Sequence, residues 1–164
     1  MSTPPTRAED GFTLIELIAV MAIGGTLASL GAFGFSSFQT GSEHRGSTAE
    51  LVSTLRSASE RSISEGRTHC VDLAPDGRSY TTWRYACGPS GSQLGGARTT
   101  QSTAVTITAT VSLPVPAPAC PAAHSCLYFH PRGTATPATL TVASTKRSPT
   151  YTVRVEGLTA RVYS

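Results

Sequence analysis

Between Glu16 and Glu43 the chain carries no formally charged residue, and Leu17-Ile18-Ala19-Val20-Met21-Ala22-Ile23 opens that stretch as an unbroken apolar run. About 20 such residues let a helix cross the roughly 30 Å hydrocarbon core of a bilayer. Residues 12–38 are therefore read as a membrane-spanning helix. Glu16 is the anomaly in this reading. A carboxylate in hydrocarbon costs several kcal/mol unless it is neutralised or paired.

What precedes the run does not have the order of a secretory signal, which places a basic leader first and a small-residue junction after the apolar core. Here Met1 to Gly11 sets Arg7 against Glu9 and Asp10, and the small residue, Gly11, comes before the run. No cysteine adjoins it, so no lipid-modified N-terminus is expected.

The string Gly11-Phe12-Thr13-Leu14-Ile15-Glu16 resembles the start of the type IV pilins and pseudopilins. The resemblance implies that residues 1–11 are a leader, that a prepilin peptidase cuts between Gly11 and Phe12, and that the new Phe12 amine is N-methylated. It also gives Glu16 an assembly role. Its carboxylate would meet the free amine of a neighbouring subunit as the filament grows, and so fix the axial register. The plainer alternative is a surface glutamate at the end of an ordinary anchor helix.

Beyond the apolar run the helix is expected to continue to Gly66, because Leu51/Val52, Leu55, Ala58 and Ile63 recur at helical spacing. Gly66 reads as its stop, with Arg67 favourable at the C-terminus. Glu43, Glu50, Glu60 and Glu65 read as its solvated face. From residue 67 the period changes to two. Expected strands are Thr68 to Leu73, Ser79 to Cys87, Ser102 to Leu113, Cys126 to His130, Ala138 to Ala143, Tyr151 to Glu156 and Leu158 to Tyr163, with Pro75-Asp76-Gly77-Arg78 and Lys146-Arg147-Ser148-Pro149 as turns. Gly88 to Gln101 and Pro114 to Ser125 read as surface loops. The fold class is α+β: a long N-terminal helix, residues 12–66, packed against an antiparallel β-sheet head, residues 67–164.

Cys70, Cys87, Cys120 and Cys126 all fall in the part expected outside the cytoplasm, where disulfides persist. Cys120 with Cys126 would close a short loop and leave Cys70 with Cys87. In a tight hairpin, however, Cys70 faces Trp83, so that second link needs a bulge or a longer loop, and pairing between the two halves stays open. A sharper alternative is a metal site from Cys120, His124, Cys126 and His130. The spacing lacks a C-x-x-C pair and an oxidising compartment favours disulfides, so no metal and no cofactor is expected.

Charge is placed unevenly. Residues 12–76 carry four basic and seven acidic groups, while from Gly77 onward eight basic residues face a single acid, Glu156. Complementarity between neighbouring subunits accounts for this, and attraction of DNA by a basic head is the alternative. Lys146, Arg147, Arg154 and Arg161 are the candidate DNA contacts. Catalysis finds no support: there is no P-loop, no G-x-S-x-G and no H-E-x-x-H, and no pair of carboxylates in the head.

The head also resembles the GspH/FimT group of minor pseudopilins, through Leu55 to Arg67, Trp83, Leu127-Tyr128-Phe129-His130-Pro131-Arg132-Gly133 and the closing Val155 to Val162. That group includes a DNA-uptake branch with a Gly-Arg-x-Arg signature. Here Gly157-Leu158-Thr159-Ala160-Arg161 keeps the glycine but lacks the first arginine. The resemblance implies a minor subunit of a type II secretion or type IV pilus filament, acting in initiation or at the tip. Its expected home is the bacterial inner membrane, crossed once with the head in the periplasm or outside, and then an envelope filament. Expected partners are other pilins or pseudopilins, inner-membrane assembly proteins, the prepilin peptidase, the membrane and, on the second reading, DNA.

Overall fold

The computed structural model describes residues 13–112 and 120–164, with the side chains of 30–40 and 147–149 left aside. One helix, α1 (Leu14–Ser64), and nine strands make up the regular structure: β1 (His69–Leu73), β2 (Ser79–Arg84), β3 (Ser92–Gln93), β4 (Arg98–Thr99), β5 (Val105–Val111), β6 (Ser125–Phe129), β7 (Ala138–Ser144), β8 (Arg147–Val155) and β9 (Val162–Tyr163). The chain divides after Gln39 into two compact units. The first contains the opening turns of α1. The second, from Thr40 onward, is the head.

Within the head, α1 buries Leu51, Val52, Leu55 and Ala58, together with His44, Ser47, Thr54 and Ser62. These positions follow the i, i+3/i+4 stripe of a helix with one packed face. The next step of the stripe after Ala58 is Ser62 rather than Ile63, and Ile63 is left 54% exposed. The helix ends in a Schellman motif: Gly66 takes φ +63°, its N–H donates to the Ile63 carbonyl at 3.3 Å, and the Arg67 N–H donates to the Ser62 carbonyl at 3.1 Å.

Two antiparallel sheets face that stripe, where alternation alone does not say how the strands are divided. The first runs β3-β2-β1-β6, with β4 also on β2; the second runs β5-β7-β8-β9. Alternation sends Val71, Leu73, Tyr80, Leu127 and Phe129 of the first sheet and Val105, Ile107, Leu140, Val142, Val153, Val155 and Val162 of the second into one core with the helix. Every residue of β1 is buried, because its other face lies under a second cluster of Cys70, Cys87, Cys126 and Tyr128.

Several boundaries differ from expectation. The Gly88 to Gln101 connection holds a short 3-10 turn and the two-residue strands β3 and β4. Arg147 to Pro149 belong to β8, and the turn is Thr145-Lys146. Pro149 is tolerated because β9 pairs only with Arg154 and Val155, leaving that stretch of β8 uncovered on one side. Of Leu158 to Tyr163, only Val162–Tyr163 is strand.

The Pro75 to Arg78 turn joins the two sheets. The Ile107 N–H of β5 donates to the Gly77 carbonyl at 2.7 Å. Gly77 has φ +65°, and a Cβ there would stand 2.6 Å from the Ile107 carbonyl oxygen. Gly77→Ala combines left-handed strain with that collision and is expected to cost about 2 kcal/mol or more, read as a lower midpoint in urea at unchanged slope.

Burial raises the Tyr80 and Tyr128 hydroxyls above 10.0, the ordinary tyrosine value. A raised folded value adds stability that is complete below pH 10 and is lost as pH climbs through it. Thermal midpoints taken upward from pH 9 should therefore fall beyond about pH 10, and Tyr80→Phe should flatten that fall.

Candidate functional site

The start of α1 is set by Thr13. The Glu16 N–H donates to the Thr13 carbonyl at 3.1 Å and to Thr13 Oγ1 at 3.3 Å, so Thr13 is the N-cap and Glu16 is the third helical residue. Thr-x-x-Glu has the spacing of a capping box, a signal carried by the sequence itself. Leu14, Ile15, Leu17, Ile18, Val20, Met21, Ile23 and Leu27 are all more than half exposed. A surface of this size and character marks a site to be covered by lipid or protein. Among the described residues no helix is long and apolar enough to cross a membrane. Gly11 and Phe12 lie outside the described residues, and so do side chains in the later part of the expected 12–38 span.

The four cysteines meet on the outer face of the first sheet. Cys70 is linked to Cys87 and Cys120 to Cys126, with Cα separations of 5.5 and 5.8 Å. Register alone would set Cys70 opposite Trp83. A left-handed bend rather than a bulge takes the chain to Cys87: the Tyr85 N–H donates to the Thr68 carbonyl at 2.7 Å, continuing the register by one pair, and Tyr85 takes φ +76°, from which the chain turns to bring Cys87 to Cys70. The sulfurs of Cys70, Cys87 and Cys126 lie within 4.8 Å of one another, so both links form one layer.

The four-ligand metal set is overturned by this arrangement. The two sulfurs of that set, Cys120 and Cys126, are bonded to each other and are not thiolates. His124 turns its Nδ1 to the Asp72 carboxylate at 2.7 Å, and as the partner is an acceptor, that nitrogen carries the hydrogen. His130 instead places its Nδ1 3.5 Å from Thr68 Oγ1. The Asp72–His124 pair ties the small disulfide loop to β1. Spacing gave no sign of it, since 52 residues separate the partners.

The acidic side chains of α1 are more engaged than a solvated face implies. Glu50 accepts from Arg98 at 3.2 Å, while Glu65 accepts from Arg84 at 2.8 Å and lies 3.5 Å from His69 Nε2. His44 and His69 are both buried. His44 Nε2 donates to the Val142 carbonyl at 3.0 Å and its ring meets Tyr151 edge-on, which makes it part of the helix–sheet packing.

The candidate DNA contacts fall into two groups. Lys146 is exposed in the turn before β8, where Arg147 begins the strand with its side chain outside the described set. Arg154 projects from the outer face near the other end of β8, between Thr139 and Tyr163 in register. Arg161 is exposed just before β9, its carbonyl accepting the Glu156 N–H at 3.0 Å. The nine residues of β8 at about 3.3 Å each hold the two groups roughly 25 Å apart. At the turn matching the Gly-Arg-x-Arg signature the chain presents Leu158, 85% exposed, and Glu156 braces the turn by accepting from Thr159 Oγ1 at 2.8 Å and Tyr163 at 3.4 Å.

Residues 47–159 match the family model of type II transport protein GspH, and residues 6–32 match the prokaryotic N-terminal methylation motif. No curated protein sequence matches the chain. The fold is similar to that of the minor pseudopilin EpsH from the type 2 secretion system of Vibrio cholerae, with 16% identity over 74% of this chain and 94% of that one and a TM-score of 0.57. It is also similar to that of the type IV minor pilin FimU of Pseudomonas aeruginosa, with 16% identity over 77% of this chain and 90% of that one and a TM-score of 0.59.

Proposed function

The chain belongs to the GspH family of type II transport proteins and is a structural subunit of the minor pseudopilin or minor pilin kind, and from that premise we propose that it enters a short envelope filament at initiation or at the tip. The observation that supports this most is the exposed apolar surface of Leu14 to Leu27 with Glu16 inside it. On this reading lipid covers that surface while the chain waits in the inner membrane, and neighbouring helices cover it in the fibre. Cleavage between Gly11 and Phe12 releases the amine, which is methylated, and Glu16 receives the amine of the adjoining subunit. Residues 12–38 serve first as anchor and then as filament core, and the head contributes specificity of contact.

The test is to express the full chain with the other subunits of its system, shear the cells, and probe filament and membrane fractions. The processed chain should be found in both. Its absence from every filament preparation that contains the major subunit would refute the proposal.

DNA capture by the head is the second reading, supported by exposed Arg154 and Arg161 near the signature position. Its weakness is geometric, because Lys146 is far from them and Leu158 stands in place of an arginine. If DNA is bound, retardation by the detergent-solubilised full chain should collapse between 50 and 200 mM salt in the way phosphate contacts do.

A further inference from the structure

At the end of the head where α1 stops, one guanidinium lies over a half-exposed aromatic ring, and a second exposed arginine stands on a turn anchored to the helix end. The Arg67 guanidinium lies 5.3 Å from the centroid of the Tyr85 ring, Arg84 precedes that ring in the chain, and Arg132 is exposed on the His130 to Gly133 turn. That turn is anchored to the helix end, where Ser62 Oγ donates to the His130 carbonyl at 3.3 Å and Ile63 Cδ1 approaches Gly133. Ile63 and Tyr85 are 54% and 50% exposed. The carboxylate of this surface, Glu65, is taken up by Arg84 and His69.

Tyr85 has a structural task that does not call for a ring. The bend that brings Cys87 to Cys70 uses a positive φ, which glycine adopts without strain and a bulky aromatic adopts at a cost. A tyrosine held there with half its surface in solvent retains strain for little more than the Arg67 stack, the pattern from which a functional role is inferred. Its surroundings are rigid. The Schellman bond fixes Arg67, the Thr68 carbonyl holds the Tyr85 N–H, and the disulfide at Cys87 follows two residues later. Preorganised Tyr and Arg side chains beside an exposed aliphatic one are the usual makings of an interface hot spot.

Resting on the filament reading, we propose that this surface, centred on Tyr85 and Arg67 and flanked by Ile63 and Arg132, docks an acidic, apolar-flanked face of a neighbouring pilin-like subunit. Charge complementarity names the partner's chemistry. A nucleic acid fits less well, since only one aromatic ring is offered, Arg84 is already paired, and Ile63 gains nothing against phosphate.

The test places a photo-crosslinking amino acid at Ser64, which is exposed beside Ile63, in the full chain expressed with its companion subunits. Irradiation should yield an adduct with another subunit, mapped to a segment bearing Asp or Glu. Tyr85→Gly relieves the left-handed strain, so its melting temperature should hold or rise while adduct yield falls about tenfold or more. Arg67→Glu should do the same to the yield, and reversing the mapped acid to arginine should restore it. Unchanged yield in Tyr85→Gly overturns the proposal, and so does a nuclease-sensitive adduct or one formed only between two copies of this chain. A chain present in filaments without any adduct sinks the docking surface alone; a chain never found in filaments sinks the filament reading with it.

Discussion

Replacing Glu16 with alanine should deplete the chain from sheared filaments by about tenfold or more, while the membrane-held pool stays the same or grows and the head melts as the unsubstituted protein does. The sign follows from two environments. In hydrocarbon the carboxylate is a burden of several kcal/mol, so its removal favours insertion. In the proposed assembly it would receive a partner amine, and truncating one member of a buried charged pair costs about 3–5 kcal/mol. Even half of the lower figure corresponds to roughly tenfold in occupancy. The substitution leaves the helix cap intact, because Thr13 receives the backbone N–H of residue 16 and not its side chain. Thr13→Ala separates the two effects: it removes a cap worth about 1 kcal/mol but should spare incorporation. Quantitative blotting of filament against membrane fractions decides the matter, and normal incorporation of Glu16→Ala would remove the role assigned to that carboxylate.

Removing the Cys70–Cys87 link through paired alanine substitutions should lower head stability by about 3 kcal/mol, against about 2.2 kcal/mol for Cys120–Cys126. Those figures follow from the loop entropy of separations of 17 and 6 residues. The two losses should not add. Three of the four sulfurs lie within 4.8 Å, so either deletion opens space that the other link borders. The Cys70–Cys87 variant should also free the left-handed bend at Tyr85. Denaturant melts of the two paired variants and of the fourfold variant measure both the order and the coupling. Equal costs that sum without interaction would show that the sulfur layer is not a packing unit.

Local signals in this sequence were legible wherever one residue sets one geometry. Gly66 ended the helix, the Pro75 to Arg78 turn formed, and the Leu51 to Ala58 stripe found the core. Ile63 was misplaced because one position around a helix is about 100°, enough to turn a side chain from core to solvent. Arg147 to Pro149 looked like a turn because proline breaks a central strand, but β9 is too short to make that stretch central. β3 and β4 were invisible, since two residues cannot show a period. The division into two sheets was not legible either, because alternation fixes which face is buried and not which strand is the neighbour. At the candidate site, the processing and assembly roles rest on resemblance, and the mismatch between the Cys70 register and Cys87 pointed to the place where Tyr85 bends the chain. Asp72 with His124, and Arg67 with Tyr85, are products of tertiary approach with no mark in the chain.

The sulfur layer has a mechanical consequence for a subunit that bears load. A head pulled between its stem and its last strand can lengthen only by paying out chain, at no more than about 3.4 Å per residue. The link between Cys70 and Cys87 withholds 17 residues from that extension, roughly 50 Å of slack, and shortcuts the tension across a Cα gap of 5.5 Å in the first sheet. Strands β1 and β2 would thus stay registered under a pull that could strip β8 and β9, which lie outside the loops closed by either link.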